Sequence, residues 1–166
     1  MQKLSILRPL ATLAFATTAA CAFAAVNLPK EGNYDGISCW TGTASDLAFD
    51  KEHTANSYEM VGTVVSMIPG GLGEGSTFRC VGMNTSVKGR LGGGNMCEVT
   101  DPDGDKRLNA FRIEPDGKVT REMLGGTGKY EGMTMTNTVA LMPPMKASKA
   151  GTFQGCNRQT GSYKLR

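Results

Sequence analysis

Glycine dictates what this chain can become. Twenty-two of its 166 residues are glycine, spread between short mixed runs of apolar and polar residues. Few stretches carry apolar residues at helical spacing, so the periodicity argues for strands joined by turns. Strand-like runs occupy residues 36–43, 58–68, 77–87, 90–100, 107–114, 119–124, 132–141 and 151–165, the last open to a break at Thr160-Gly161. Turn chemistry sits between them: Pro69-Gly70-Gly71, Asp101-Pro102-Asp103-Gly104-Asp105, Pro115-Asp116-Gly117 and Pro143-Pro144. About eight short antiparallel strands with tight turns predict an all-β barrel or sandwich.

The first 24 residues read as an export signal. Lys3 and Arg8 are followed by an apolar run from Leu10 to Ala24, ending in the small-x-small site Ala22-Phe23-Ala24. Such a run is short for a membrane span, and no stop-transfer segment follows. The expectation is a periplasmic or secreted protein, with residues 25–166 as one β-barrel domain and no stable membrane insertion. Thr18-Ala19-Ala20-Cys21 offers a competing lipoprotein site at Cys21, but it lacks the usual Leu three positions before the Cys. Cleavage after Ala24 removes two basic residues and no acidic one, lowering the net charge from +3 to +1. A near-neutral chain gives no sign of a nucleic-acid partner. The compartment also argues against ATP- or NAD-dependent chemistry.

Four cysteines remain: Cys39, Cys80, Cys97 and Cys156. In an oxidising compartment an even count reads as two disulfides. Zinc is disfavoured because there is no C-x-x-C and His53 is the sole histidine. Lys88-Gly89 suits a two-residue hairpin turn between runs 77–87 and 90–100. Counting back from that turn puts Cys80 opposite Cys97 on a non-hydrogen-bonded pair, where side chains approach most closely. A bulge in Gly92-Gly93-Gly94 would shift this register. By elimination Cys39 pairs with Cys156, tying the first strand to the last. Such a tie favours a closed barrel over a sandwich, because closure makes those strands neighbours and removes exposed edges.

Gly125-Gly126-Thr127-Gly128-Lys129-Tyr130-Glu131-Gly132 resembles the Gly-Gly-Ser/Thr-Gly-x-Phe/Tyr segment of the allene oxide cyclase and dirigent barrels. The chain is also similar to exported bacterial proteins of unassigned function in its Cys-Val-Gly at 80–82, its Asp-x-Asp-Gly-Asp turn at 101–105 and its Gly-Cys-Asn-Arg-x-Thr-Gly at 155–161. The resemblance implies an eight-stranded antiparallel, lipocalin-like barrel with an apolar lumen. It carries over no catalytic residue. Physically, the glycines permit a tight turn, after which Tyr130 is expected to begin a strand. Gly-Thr-Gly-Lys is not a phosphate loop: Met123 stands where the first glycine is required, and Tyr130 follows Lys129.

The remaining candidates divide between bland and sharp readings. Asp101–Asp105 resembles the start of a calcium loop, but Arg112 occupies the twelfth position, so a hairpin turn is expected. His53 lies in a polar stretch without a Gly-x-Ser-x-Gly elbow and reads as a surface residue. Met123, Met133, Met135, Met142 and Met145 could bind Cu(I), but without support from histidine or free cysteine they read as core or pocket lining. No metal or other cofactor is expected. Arg79 and Glu98 face each other in the hairpin register, on the face opposite the cysteines. Their default place is outside in water; turned inward, they would bind or protonate a ligand. The candidate ligand-binding set is therefore Arg79, Glu98, Tyr130, Met133 and Met135.

The sequence points first to a small exported barrel that binds an apolar or aromatic molecule in its lumen. A cofactor-independent cyclase, isomerase or lyase is the alternative, and a structural or partner-binding envelope protein with a filled lumen comes third. Two or more inward ionisable side chains would favour the enzyme. No residue specifies an oligomeric state.

Overall fold

The computed structural model describes residues 27–166; the signal reading at 1–24 and the Cys21 alternative lie outside the described residues. The chain is all-β. Its strands are β1 (Glu31–Ala48), β2 (His53–Ser66), β3 (Thr77–Val87), β4 (Arg90–Thr100), β5 (Lys106–Ile113), β6 (Val119–Gly126), β7 (Thr134–Leu141) and β8 (Thr152–Lys164). They form one eight-stranded antiparallel sheet in the order β6-β5-β4-β3-β2-β1-β8-β7. The sheet curls into a nearly closed barrel. The first and last strands are hydrogen-bonded neighbours, paired from Glu31↔Lys164 to Thr43↔Thr152. The open seam falls between β6 and β7, which lie side by side without a backbone ladder. Among the described residues no helix is long and apolar enough to cross a membrane.

The β3–β4 hairpin follows the sequence register throughout, from Thr77↔Thr100 to Val87↔Arg90. Lys88 (φ 50°) and Gly89 (φ 76°) supply the two left-handed residues that a type I′ turn needs. The triple glycine introduces no register shift. A shift occurs instead between Leu108 and Asn109 on β5, where Leu108 faces Gly125 and Asn109 faces Met123, leaving Leu124 as the extra residue of a bulge. Both disulfides form as the register requires: Cys80–Cys97 and Cys39–Cys156, each with Cα atoms 4.1 Å apart.

Several boundaries differ from the sequence expectation. β1 and β2 extend through Ala44–Ala48 and His53–Ser57, whose small and polar residues lack a strand pattern but pair from Ala44↔Tyr58 to Ala48↔Thr54. β2 ends at Ser66, because the Ser66 hydroxyl donates to the Ile68 carbonyl (2.8 Å) and accepts from the Ile68 N–H (3.2 Å), turning the chain. β8 runs unbroken through Thr160-Gly161. Tyr130 does not start a strand. It closes a single 3-10 turn, Gly128–Tyr130, and β7 begins at Thr134.

Antiparallel connectivity places the barrel's two ends. At one end are the β2–β3, β4–β5 and β6–β7 connections, together with the C-terminus. They are sealed by a cluster of Tyr34, Leu72, Tyr130, Met133, Tyr163 and Leu165. The other end carries the β1–β2, β3–β4, β5–β6 and β7–β8 connections. A second cluster, built on Val64, Phe78, Cys80, Cys97 and Val99 with Trp40, Met60 and Phe111 against it, lies along the interior.

Candidate functional site: the barrel lumen

The lumen encloses a cavity of about 650 Å³, within the range of small-molecule sites. Asp46, Leu141, Gly151 and Thr152 line it at the second end, so that end is the mouth. Leu72, Tyr130 and Met133 of the opposite end do not line it; they form its floor.

One wall comes from β1 to β4 and is apolar in its depth, with Asn56, Asn84 and Asn95 toward the mouth. Alternation along each strand sends Trp40, Met60, Val64, Phe78, Cys80 and Val99 inward. The large rings do not cross the lumen. They lie back against glycines on neighbouring strands: a methyl group added at Gly155 would come within 2.9 Å of the Trp40 ring, at Gly42 within 2.6 Å of Phe153, and at Gly82 within 2.7 Å of Tyr58. Ring over glycine keeps the interior open while covering the backbone. The Cys80–Cys97 disulfide is part of this wall, whereas Cys39 and Cys156 occupy the outward alternation.

The other wall is polar and flanks the seam. Arg121 of β6 donates from Nε (3.0 Å) and Nη2 (2.7 Å) to Asn109 Oδ1, and from Nη1 to Gln159 Oε1 of β8 (2.9 Å). Its guanidinium lies 5.8 Å from the Tyr34 ring centroid and 5.7 Å from that of Phe111. Gln159 Oε1 also accepts from Asn137 of β7 (3.1 Å), and its amide donates to Asn157 (2.9 Å) and to Ser38 (3.4 Å). Side chains thus bridge the gap that the backbone leaves open. Burial lowers the Arg121 pKa to about 10, with Tyr34 opposing and Arg107 reinforcing the shift; the group stays cationic at neutral pH.

Between the lumen and the floor lies a second buried network. Arg107, 2% exposed, donates from Nη2 to Asp101 Oδ1 (3.0 Å) and to the Ser76 hydroxyl (3.1 Å). Ser76 Oγ donates to the same carboxylate oxygen (2.6 Å), the Tyr130 hydroxyl donates to Asp101 Oδ2, and Lys129 Nζ lies 3.1 Å from that oxygen. Arg107 stacks over Tyr130, 4.8 Å from its centroid. Burial alone would raise the Asp101 pKa; Arg107, Ser76, Tyr130 and Lys129 overcome it and hold the carboxyl below its ordinary 3.8. Burial pushes the Tyr130 phenol well above its ordinary value, against the pull of Arg107. The glycine-rich segment 125–132 serves this network. Gly128 (φ 52°) stands where a methyl would overlap the Asp105 carboxylate, and Asp105 Oδ2 accepts from the Lys129 N–H (3.0 Å).

None of the five expected ligand contacts lines the cavity. Arg79 and Glu98 occupy register-paired positions on the outer face, with side chains 61% and 54% exposed. Even there they do not pair: Arg79 Nε bonds Glu59 (2.7 Å) and Glu98 accepts from Lys106 (2.9 Å). The alternation that points the Cys80–Cys97 disulfide inward sends both charges out. Tyr130, Met133 and Met135 belong to the floor or pack against it; the floor needs their bulk. Met142 and Met145 are exposed, and Met60, outside that methionine group, is the one beside the lumen rings. Asp101–Asp105 is a turn, with the Gly104 N–H donating to the Asp101 carbonyl (2.9 Å). His53 is half exposed, with Nδ1 2.8 Å from Asp50 Oδ1.

The residues that sequence reasoning missed are Arg107, Asn109, Arg121 and Gln159. Charged and amide side chains default to solvent, and in Arg107-Leu108-Asn109-Ala110 the apolar pair would be the expected inward face. Phe111, in step with Arg107 and Asn109, was the one contrary signal. Among the described residues no group of three or more His, Cys, Asp or Glu side chains is placed to hold a metal ion. Comparison of the chain with protein-family models, curated proteins and solved structures finds no match.

Proposed function

We propose that this chain is an exported binding protein that carries one small apolar or aromatic molecule in its barrel lumen. The observation that carries this reading is the cavity itself. About 650 Å³ is kept open by rings that pack against glycines instead of filling the centre. A purely structural barrel of eight strands would fill that space with side chains. Two cross-strand disulfides fit an oxidising compartment, and the likeness of segment 125–132 to the cyclase and dirigent barrels fits the architecture.

The lumen is lined by several ionisable groups, Tyr34, Tyr58, Arg107 and Arg121 within it and Asp46 at the mouth, the feature expected of the enzyme alternative. Their chemistry favours binding all the same. A general acid or base works best with a pKa near the operating pH, and Arg121, lowered by burial to about 10, stays cationic there. Burial raises the Tyr58 phenol further from neutrality, against hydrogen bonds from Asn95 and Asn84. Asp101 is locked into the network below the lumen.

Native mass spectrometry of protein purified from its own host tests the proposal, with a copurifying small molecule as the expected result. Trp40, the sole tryptophan, lines the cavity, so its emission should change saturably as 4-nitrotoluene enters. A chain that emerges empty, with Trp40 emission unmoved by aromatic or aliphatic compounds, would rule the proposal out.

A further inference from the structure

Arg121 is an enclosed cation without a counter-charge. No carboxylate among the described residues lies within ion-pair distance of it, whereas Arg107 is neutralised by Asp101 at 3.0 Å. Its partners, Asn109 and Gln159, are neutral amides. Holding a lone guanidinium inside a barrel is costly, and such charges are normally paired. Three of its five N–H groups are used in the bonds to Asn109 and Gln159, and the Tyr34 hydroxyl also draws on the guanidinium, so at most one N–H on each Nη is open to a further acceptor.

Two neighbouring donors are also unsatisfied. Arginine only donates, so Asn109 must turn Oδ1 toward Arg121. That fixes its amide and leaves Nδ2 as a fully buried donor with no acceptor among the described residues. Arg107 Nε is in the same position. Both of these N–H groups are sealed behind the wall, and Asn56 and Asn84 each keep an equally buried, unpartnered Oδ1, so Arg121 is the donor that the polar wall offers to the cavity. The only acidic residue lining the cavity is Asp46, at the mouth. The rings of Trp40, Phe78 and Phe111 line the same cavity, with Phe111 beside the Arg121 guanidinium at 5.7 Å.

From this uncompensated cation we infer that the ligand is an organic anion: an aromatic carboxylate whose acid group sits on Arg121 and whose ring lies against the aromatic side chains of the lumen. The inference rests on the lumen-binding proposal and adds the charge and the orientation. Arginine and a carboxylate match in two-pronged geometry, and the pair is stronger in the partly enclosed lumen than in bulk water. A neutral ligand of the same shape could accept hydrogen bonds but would leave the Arg121 charge unpaired.

The test is isothermal titration calorimetry of the oxidised chain with 2-naphthoate and with 2-naphthamide, which differ in charge and hardly in shape. Naphthoate should bind at least ten-fold tighter. Arg121→Gln should abolish that preference, and Arg121→Lys should retain part of it. Because Arg121 also bridges the seam, far-UV circular dichroism checks that the Gln variant is folded. If it is not, the acid–amide comparison in the parent and in Arg121→Lys decides. Equal affinity for acid and amide, or a preference that survives Arg121→Gln, would overturn the anion while sparing the lumen as an apolar site. If neither compound binds and Trp40 emission also fails to respond, both proposals fall. Decanoate binding tighter than naphthoate, still dependent on Arg121, would overturn the aromatic half and leave the carboxylate half standing.

Discussion

At the scale of single residues, Asp101 ties together segments that lie far apart in the chain. It joins β4 to β5 through Arg107, to the β2–β3 connection through Ser76 and to the glycine-rich turn through Tyr130 and Lys129. Removing one member of such a buried pair strands the other. Asp101→Ala is expected to cost about 3–5 kcal/mol, read as a lower urea midpoint. Its pKa also gives a sign. The folded value lies below the ordinary 3.8, so the stabilisation is fully present above about pH 4 and is lost as pH falls through the lowered folded value. Urea unfolding from pH 7 to pH 2 should show that acid slope, and Asp101→Asn should flatten it; an unchanged slope would assign acid lability to another carboxylate. This network was invisible in sequence. Asp101-Pro102-Asp103-Gly104-Asp105 reads as a turn and is one, but nothing local says that its first carboxylate points into the protein to meet Arg107.

At the scale of elements, the hairpin β3–β4 was fully legible. A two-residue turn, symmetric cysteines and strict alternation agree with one another, and agreement across levels makes a register readable. The extensions of β1 and β2 were not, because Ala44-Ser45-Asp46 and Asn56-Ser57 have no apolar face; pairing with partners specifies them. Glycine in strands was read only as punctuation, whereas Gly155 serves as a seat for the Trp40 ring. Gly155→Ala should push that ring toward the lumen at a cost of about 1–3 kcal/mol. Trp40 emission should shift and ligand capacity should fall, and a variant with parental emission and binding would refute the ring-over-glycine account. The two disulfides also differ as elements. Cys39–Cys156 spans 117 residues and Cys80–Cys97 spans 17. Loop entropy then assigns about 4.7 kcal/mol to the first and about 3 kcal/mol to the second. Paired Cys→Ala variants compared by guanidinium denaturation should rank in that order; the reverse order would place the weight on the lumen packing of Cys80 and Cys97.

At the scale of the whole molecule, closure was anticipated between the first and last strands, and those strands do meet. The discontinuity moved to β6 and β7, and no sequence cue marks it, since the length of β7 and the bulge at Leu108–Asn109 emerge only in three dimensions. Its consequence for dynamics is measurable. Seam-facing amides of β6 and β7 lack ladder acceptors and should exchange with deuterium faster than those of β1–β4. Uniform protection round the sheet would mean that the barrel is sealed in solution. The same gap bears on traffic. Elsewhere the perimeter is riveted by backbone bonds and fixed in length, so this joint is the one place where the hoop can part without breaking a rung. Guests wider than the mouth would load sideways through it, and the Arg121–Gln159 clasp, rather than the depth of the bowl, would then govern how long they stay.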